Sequence, residues 1–327
     1  MLVVNSLDVQ RTLSFGTLIA ALRMAFSNDF GMPQRQMFHL PAVSDVDGNQ
    51  DDSFAVLPAW NDQVMGVKAF THLPGNPAKG LETLASKMLL FSRATGAPLA
   101  VVDGTQLTFW RTAAVSALAA DHLARKDAKS LLLFGTGKLA PYMALAHACV
   151  RPIETIYVAG RNAEKVTATV NDIKSQRPDI DVQGVSNPEL VIGHVDIISC
   201  ATGTAEPLFT YEQVSAGTHI DLVGNHSRDR RECDSKTVLC SKVFVDSRLN
   251  VLNEAGELLI PLSEGAFTAG HVQGELADLC RSEVKGKKAG RNTAEEITLF
   301  KSVGTALSDL VAAYLVYENI KAESLRV

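Results

Sequence analysis

Apolar positions near the start of the chain recur at helical spacing: Leu18, Ile19, Leu22, Ala25 and Phe26 share one face between residues 17 and 28. An amphipathic helix is expected there, ended by Gly31, Met32 and Pro33. Short apolar runs then alternate with Asp, Asn, Gly and Pro, so residues 54–59, 64–70 and 99–103 read as strands of a sheet-rich first domain. Residues 108–125 are alanine-rich and predict a closely packed helix with Thr108 as N-cap.

A different rhythm begins at Ser130. A strand over 131–134 runs into Gly135-Thr136-Gly137-Lys138-Leu139-Ala140, a helix follows to residue 150, and a second strand covers 155–159. Further strand patterns at 180–185, 195–200, 219–223 and 243–246 alternate with helical or loop segments, as a doubly wound parallel α/β sheet requires. This sheet is expected to end near residues 127 and 290. Residues 295–319 carry Ile297, Phe300, Val303, Leu307 and Leu310 and read as one long helix returning to the first domain.

Composition narrows the class. In 327 residues, 46% hydrophobic and 20% charged, neither disorder nor a fibrous repeat is expected. A net charge of −5 with scattered Lys and Arg excludes a nucleic-acid partner. No uncharged apolar stretch reaches the ~20 residues that span a bilayer, and the amino terminus lacks a signal-peptide pattern, so a cytoplasmic protein without a membrane partner is expected. Five cysteines without a C-x-x-C pair read as reduced packing residues, and no metal site is expected.

Gly135-x-Gly137-x-x-Ala140 between a strand and a helix is the dinucleotide fingerprint. The first glycine permits the tight turn, the second lets backbone approach a pyrophosphate, and the small third residue lets helix pack on strand. Thr136, Lys138 and Leu139 belong to the same turn. After the second strand the chain reads Ala159-Gly160-Arg161-Asn162. An arginine there suits a 2′-phosphate where a carboxylate would suit a free ribose, so NADPH is expected; Arg161 as a solvated turn residue, with NADH also used, is the alternative. Thr202 closes the fourth strand and Asn225 the fifth, so both are candidates for the nicotinamide end, or simple caps.

Three cations stand at element ends in the first domain. Arg35 follows Pro33, Lys68 lies in Gly66-Val67-Lys68-Ala69-Phe70, and Arg111 is placed at the start of the helix in Leu107-Thr108-Phe109-Trp110-Arg111-Thr112-Ala113-Ala114, where the helix end would add positive charge. Segments 67–80, 107–125, 135–140, 245–256 and the run Thr298-Leu299-Phe300-Lys301-Ser302-Val303-Gly304 resemble, in order and wording, the ornithine cyclodeaminase and mu-crystallin family.

The resemblance implies a Rossmann domain over 121–294 inserted into a discontinuous α+β substrate-binding and dimerisation domain, 1–120 with 295–327, and a homodimer. It implies that Arg35, Lys68 and Arg111 hold the substrate carboxylate, and it adds Thr112, Ser302 and Gly304 to the cofactor set. Where cyclodeaminases carry an aspartate in the loop after the fifth Rossmann strand, this chain has His226, while Asp229, Arg231 and Glu232 are similar to the ketimine reductase form of the loop. The implied activity is NADPH-dependent reduction of small cyclic imino acids, Δ1-pyrroline-2-carboxylate and Δ1-piperideine-2-carboxylate, to L-proline and L-pipecolate. Lys68 and His226 are the candidate catalytic proton donors. An ornithine cyclodeaminase, an alanine dehydrogenase type of enzyme and a low-turnover crystallin-like binding protein are the alternatives.

Overall fold

The structure is a computed structural model and describes residues 1–41, 52–286 and 289–325. In chain order the elements are β1 (Leu2–Val4), α1 (Ser6–Thr12), α2 (Phe15–Ser27), β2 (Gln36–Leu40), β3 (Asp52–Trp60), β4 (Val64–His72), β5 (Leu84–Ser92), β6 (Pro98–Asp103) and α3 (Gly104–Leu123). There follow β7 (Ser130–Phe134), α4 (Ala140–Val150), β8 (Thr155–Ala159), α5 (Ala163–Gln176), β9 (Asp181–Val185), α6 (Glu189–Ile192), β10 (Ile197–Cys200) and β11 (His219–Leu222). The remainder is α7 (Ser235–Cys240), β12 (Lys242–Val245), α8 (Arg248–Glu254), α9 (Gly256–Ser263), β13 (Val272–Glu275), α10 (Leu276–Val284), β14 (Thr298–Lys301) and α11 (Ala306–Ser324). Two compact units result: Met1–Arg111 with Thr305–Val327, and Thr112–Gly304. The divisions fall at 111/112 and 304/305 rather than at 120/121 and 294/295, so one of them lies inside α3.

The first unit is built on a six-stranded sheet, ordered β1-β6-β5-β4-β3-β2 among the described residues. Its neighbours are antiparallel except β1 beside β6. Alternation drives the packing: Ser53, Ala55, Leu57 and Ala59 of β3 are buried, as are Met88 and Leu90 of β5. α11 packs on β3, β4 and β5 of this sheet, and α2 packs on α11. The expected first helix is α2, opened by Ser14, whose side chain accepts from the Thr17 backbone. By contrast, α3 begins four residues before Thr108. Asp103 supplies its opening acceptor, taking the Gln106 N–H at 2.9 Å, and the Thr108 hydroxyl instead donates to the Gly104 carbonyl.

The second unit is the expected doubly wound sheet, among the described residues eight parallel strands ordered β13-β12-β14-β11-β10-β7-β8-β9. The strand direction of growth reverses between β7 and β10, which makes the carboxyl ends of those two strands a topological switch point. Leu132, Phe134, Ile198, Leu222, Val245 and Leu299 form its core.

Residues 295–319 are not one helix. Thr298–Lys301 form β14, all four buried, between β11 and β12. A strand buried on both faces loses its period-two alternation and reads like a helical stripe, so periodicity could not separate the two. Gly304, at φ +88°, breaks the chain before α11. Among the described residues no helix is long and apolar enough to cross a membrane, and no group of three or more His, Cys, Asp and Glu could hold a metal ion.

Candidate active site

In the first unit the structure brings the three predicted cations together and adds an acidic residue that sequence reasoning missed. β4 carries Lys68 into the interior, where Nζ donates to Thr108 Oγ1 at 2.6 Å and to Asp309 Oδ1 at 2.8 Å. Arg111 Nε donates to the same Oδ1 at 3.2 Å. Thr108 and Arg111 are three residues apart on α3 and therefore share a face, while Asp309 lies in the first turn of α11. Arg111 sits two turns into its helix, so the helix end does not supplement its charge as expected.

The electrostatics follow from this packing. Burial pushes the Lys68 ammonium below its ordinary value, Asp309 draws it back up, and the positive charges of Arg111 and Arg35 push it down again. For Asp309 burial acts upward, but Arg111 and Lys68 outweigh it and hold the carboxyl below its ordinary range. Lys68 and Arg111 share the one carboxylate of Asp309, so among these three groups the balance is positive. The terminal nitrogens of Arg111 donate to no described residue, and Asp309 Oδ2 is buried without a donor. A small anion with a planar oxygen pair matches such a guanidinium. Asp309 offered one faint sequence signal, a lone acid among Leu307, Leu310 and Val311 on a buried helix face.

In the second unit the Gly135 turn fits a dinucleotide. Gly135 has φ +121°, and a Cβ there would meet the Ala201 carbonyl at 2.6 Å, so only glycine closes this turn at the switch point. A Cβ on Gly137 would meet nothing within 4 Å, which leaves its backbone open to an approaching group. α4 begins at Ala140 after the N-cap Leu139, with Pro141 in its first turn and no capping side chain on its first N–H groups. Lys138 and Arg161 are exposed; Asn162 caps α5, accepting from the Lys165 N–H at 2.9 Å. Thr112 is buried within α3.

Other predicted residues have partners of their own. Thr202 gives both its N–H and its hydroxyl to Glu232. Asn225 Nδ2 donates to the Thr204 carbonyl at 2.7 Å. Ser302 Oγ and the Gly304 N–H both donate to Asp246 Oδ2 at 2.7 Å, so an unforeseen aspartate shapes that loop. His226 is exposed in the loop after β11 and belongs to the second unit, whereas Lys68 belongs to the first. Ser199, Asp221 and His147 form a buried chain in which the serine and histidine both bond Asp221 Oδ2. That is not a nucleophile arrangement, because the serine does not face the imidazole.

The model of the ornithine cyclodeaminase/mu-crystallin family matches residues 2–324. The chain is 49% identical over 322 residues to the Δ1-pyrroline-2-carboxylate reductase of Colwellia psychrerythraea, covering 98% of this chain and 99% of the relative. Among solved structures it resembles Thermococcus litoralis Δ1-pyrroline-2-carboxylate reductase in complex with NADH and L-proline, at TM-score 0.89 and 34% identity, over 99% of this chain and 98% of the other. An archaeal alanine dehydrogenase dimer with bound NAD also superposes at TM-score 0.89, with 26% identity over 99% of this chain and 97% of that one.

Proposed function

Because the chain belongs to the ornithine cyclodeaminase/mu-crystallin family, we propose that it reduces the cyclic imino acids Δ1-pyrroline-2-carboxylate and Δ1-piperideine-2-carboxylate to L-proline and L-pipecolate with a nicotinamide dinucleotide. The observation that carries the reading is the excess of positive charge around Asp309, where Arg111 keeps its terminal nitrogens uncommitted and Lys68 and Arg35 stand close by. These side chains hold the substrate carboxylate. The similarity to reductases of the five-membered imine supports the substrate class.

Gly135, Thr136, Gly137, Lys138 and Leu139 would hold the dinucleotide pyrophosphate, and the bound reduced nicotinamide supplies the hydride that the imine carbon accepts. Arg161, exposed in a turn without a carboxylate, gives NADPH the preference over NADH, with Asn162 fixing the start of α5 beside it. Thr112, Thr202, Asn225, Ser302 and Gly304 shape the nicotinamide end; Thr202 and Ser302 act through backbone position, since their hydroxyls are engaged.

The imine carbon is electrophilic only when its nitrogen is protonated. Lys68 is one donor, its ammonium made more acidic by burial and by Arg111 and Arg35. His226 is the other. The same proposal includes a homodimer formed through the first sheet, whose strand β2, at its edge among the described residues, is exposed along its length, and a cytoplasmic setting that suits five cysteines outside any disulfide.

The test measures consumption of reduced dinucleotide with each cyclic imine and, in parallel, with pyruvate plus ammonia. Turnover with the imines in the absence of ammonia is expected. Turnover confined to pyruvate plus ammonia would move the chain to the alanine dehydrogenase reaction, and none in either assay would leave a binding protein.

A further inference from the structure

We propose that Glu232 is a positioning residue that holds the carboxyl ends of β10 and β11 in place for the nicotinamide end of the dinucleotide, and that it does so as a carboxylate. Glu232 is fully buried. Its Oε1 accepts the Thr202 N–H at 2.7 Å and the Thr202 hydroxyl at 2.8 Å, and its Oε2 accepts the Gly224 N–H at 2.9 Å. One side chain thus ties together the two loops that leave β10 and β11, beside the switch point. Gly224 must be glycine for this, because a Cβ there would collide with the Thr202 backbone and with Glu232 itself.

Behind the carboxylate lies a second layer. The Glu232 N–H donates to Glu257 Oε1 at 3.2 Å, and Lys301 Nζ lies 3.0 Å from Glu257 Oε2 while donating to the Asn225 carbonyl at 2.7 Å. Lys301 and Glu257 are both fully buried. A single ammonium at the end of β14 therefore serves two carboxylates and also pins the residue after Gly224.

The two oxygens of Glu232 accept three donors; the ionised form is the stronger acceptor for all of them, whereas protonation puts a hydrogen in one acceptor site, where no acceptor was needed before, and loosens the tether on that oxygen. Burial pushes Glu232 up to about 7, with Lys301 pulling it down and Glu257 pushing it up. The other titratable groups that face it are the thiols of Cys200 on β10 and Cys233 beside it in the chain, both held neutral by burial. His226 shares the loop. The grip on the two loops is thus set by pH near neutrality, and the inference rests on the dinucleotide reading above.

Binding of NADH, followed by nicotinamide fluorescence without any imine present, tests it. NADH is the probe because it lacks the 2′-phosphate, which itself titrates in this range. The wild-type Kd should fall ~tenfold between pH 6 and pH 8, within the limit for one linked proton. Glu232→Gln should bind at every pH no better than the wild type at pH 6, with the slope gone. His226→Asn should keep the slope, and Glu232→Asp, which retains a carboxylate, should bind more weakly with the slope preserved, a readout that survives if the glutamine variant does not fold. A wild-type slope persisting in Glu232→Gln, or vanishing in His226→Asn, overturns the role of Glu232 alone. Absence of NADH binding to the wild type at any pH overturns the dinucleotide reading as well.

Discussion

The molecule contains two buried charge clusters of opposite balance. Around Asp309 two cations, Lys68 and Arg111, share one carboxylate; around Lys301 two carboxylates share one ammonium. In the first, the carboxyl is held below its ordinary range and the surplus is positive, with a guanidinium still able to donate. In the second, a carboxyl is pushed up to about 7, and its oxygens are taken up by backbone and hydroxyl donors. The contrast separates a cation-rich cluster whose guanidinium keeps donors to spare from a carboxylate-rich one whose oxygens are taken up by the loops around it. Burial alone does not distinguish them; the sign of the majority charge and the partners left to it do.

Breaking the first cluster should cost most. Asp309→Ala leaves buried cations without a counter-charge, and denaturant unfolding should show a loss of ~3–5 kcal/mol, together with a raised KM for the imino acid. A loss close to that of an exposed pair would mean that Lys68 reaches solvent in the folded protein. Arg111→Ala removes the open donor and should lower kcat/KM by an amount worth roughly 2–4 kcal/mol; wild-type kinetics would remove the carboxylate clamp.

The second cluster predicts a pH signature in stability. Glu232 has its folded value raised from 4.5 to about 7, so its favourable contribution is complete below 4.5 and is lost as pH rises through 7. At ~1.4 kcal/mol per pH unit, the stability difference between Glu232→Gln and the wild type should shift toward the variant by up to ~3 kcal/mol between pH 4.5 and pH 8. A difference independent of pH would place the carboxyl in a solvated setting. The smallest effect is expected at the exposed Arg161: Arg161→Ala should weaken NADPH several-fold and NADH hardly at all, and equal losses would show that it does not read the phosphate.

Much of the fold was legible because its signals are local. The turn at Gly135 needs a positive φ and close approach to Ala201, and the glycine spacing announces both. The α2 stripe and the β3 alternation are periodic facts of short segments. β14 was misread because Thr298 to Lys301 are buried on both faces, and β5 was missed where Lys87 and the run after it obscure alternation. In the candidate site, Arg35, Lys68 and Arg111 were grouped only through family resemblance. Asp246, Glu257 and the clamp made by Glu232 had no local mark, and Asp309 only the faint one of an acid on a buried helix face, since each works on residues distant in sequence.

The sequence by itself determined the glycine turn, most of the strands and the helix stripes, because backbone conformation and amphipathic period are written within a few neighbouring residues. The tertiary structure decided which charges meet. Lys68 and Asp309 are 241 positions apart, and Asn225 and Lys301 are 76 apart. Desolvation and Coulomb attraction depend on the neighbours a side chain acquires on folding, so the same residue types became a cation-rich cluster in one unit and a carboxylate-rich one in the other.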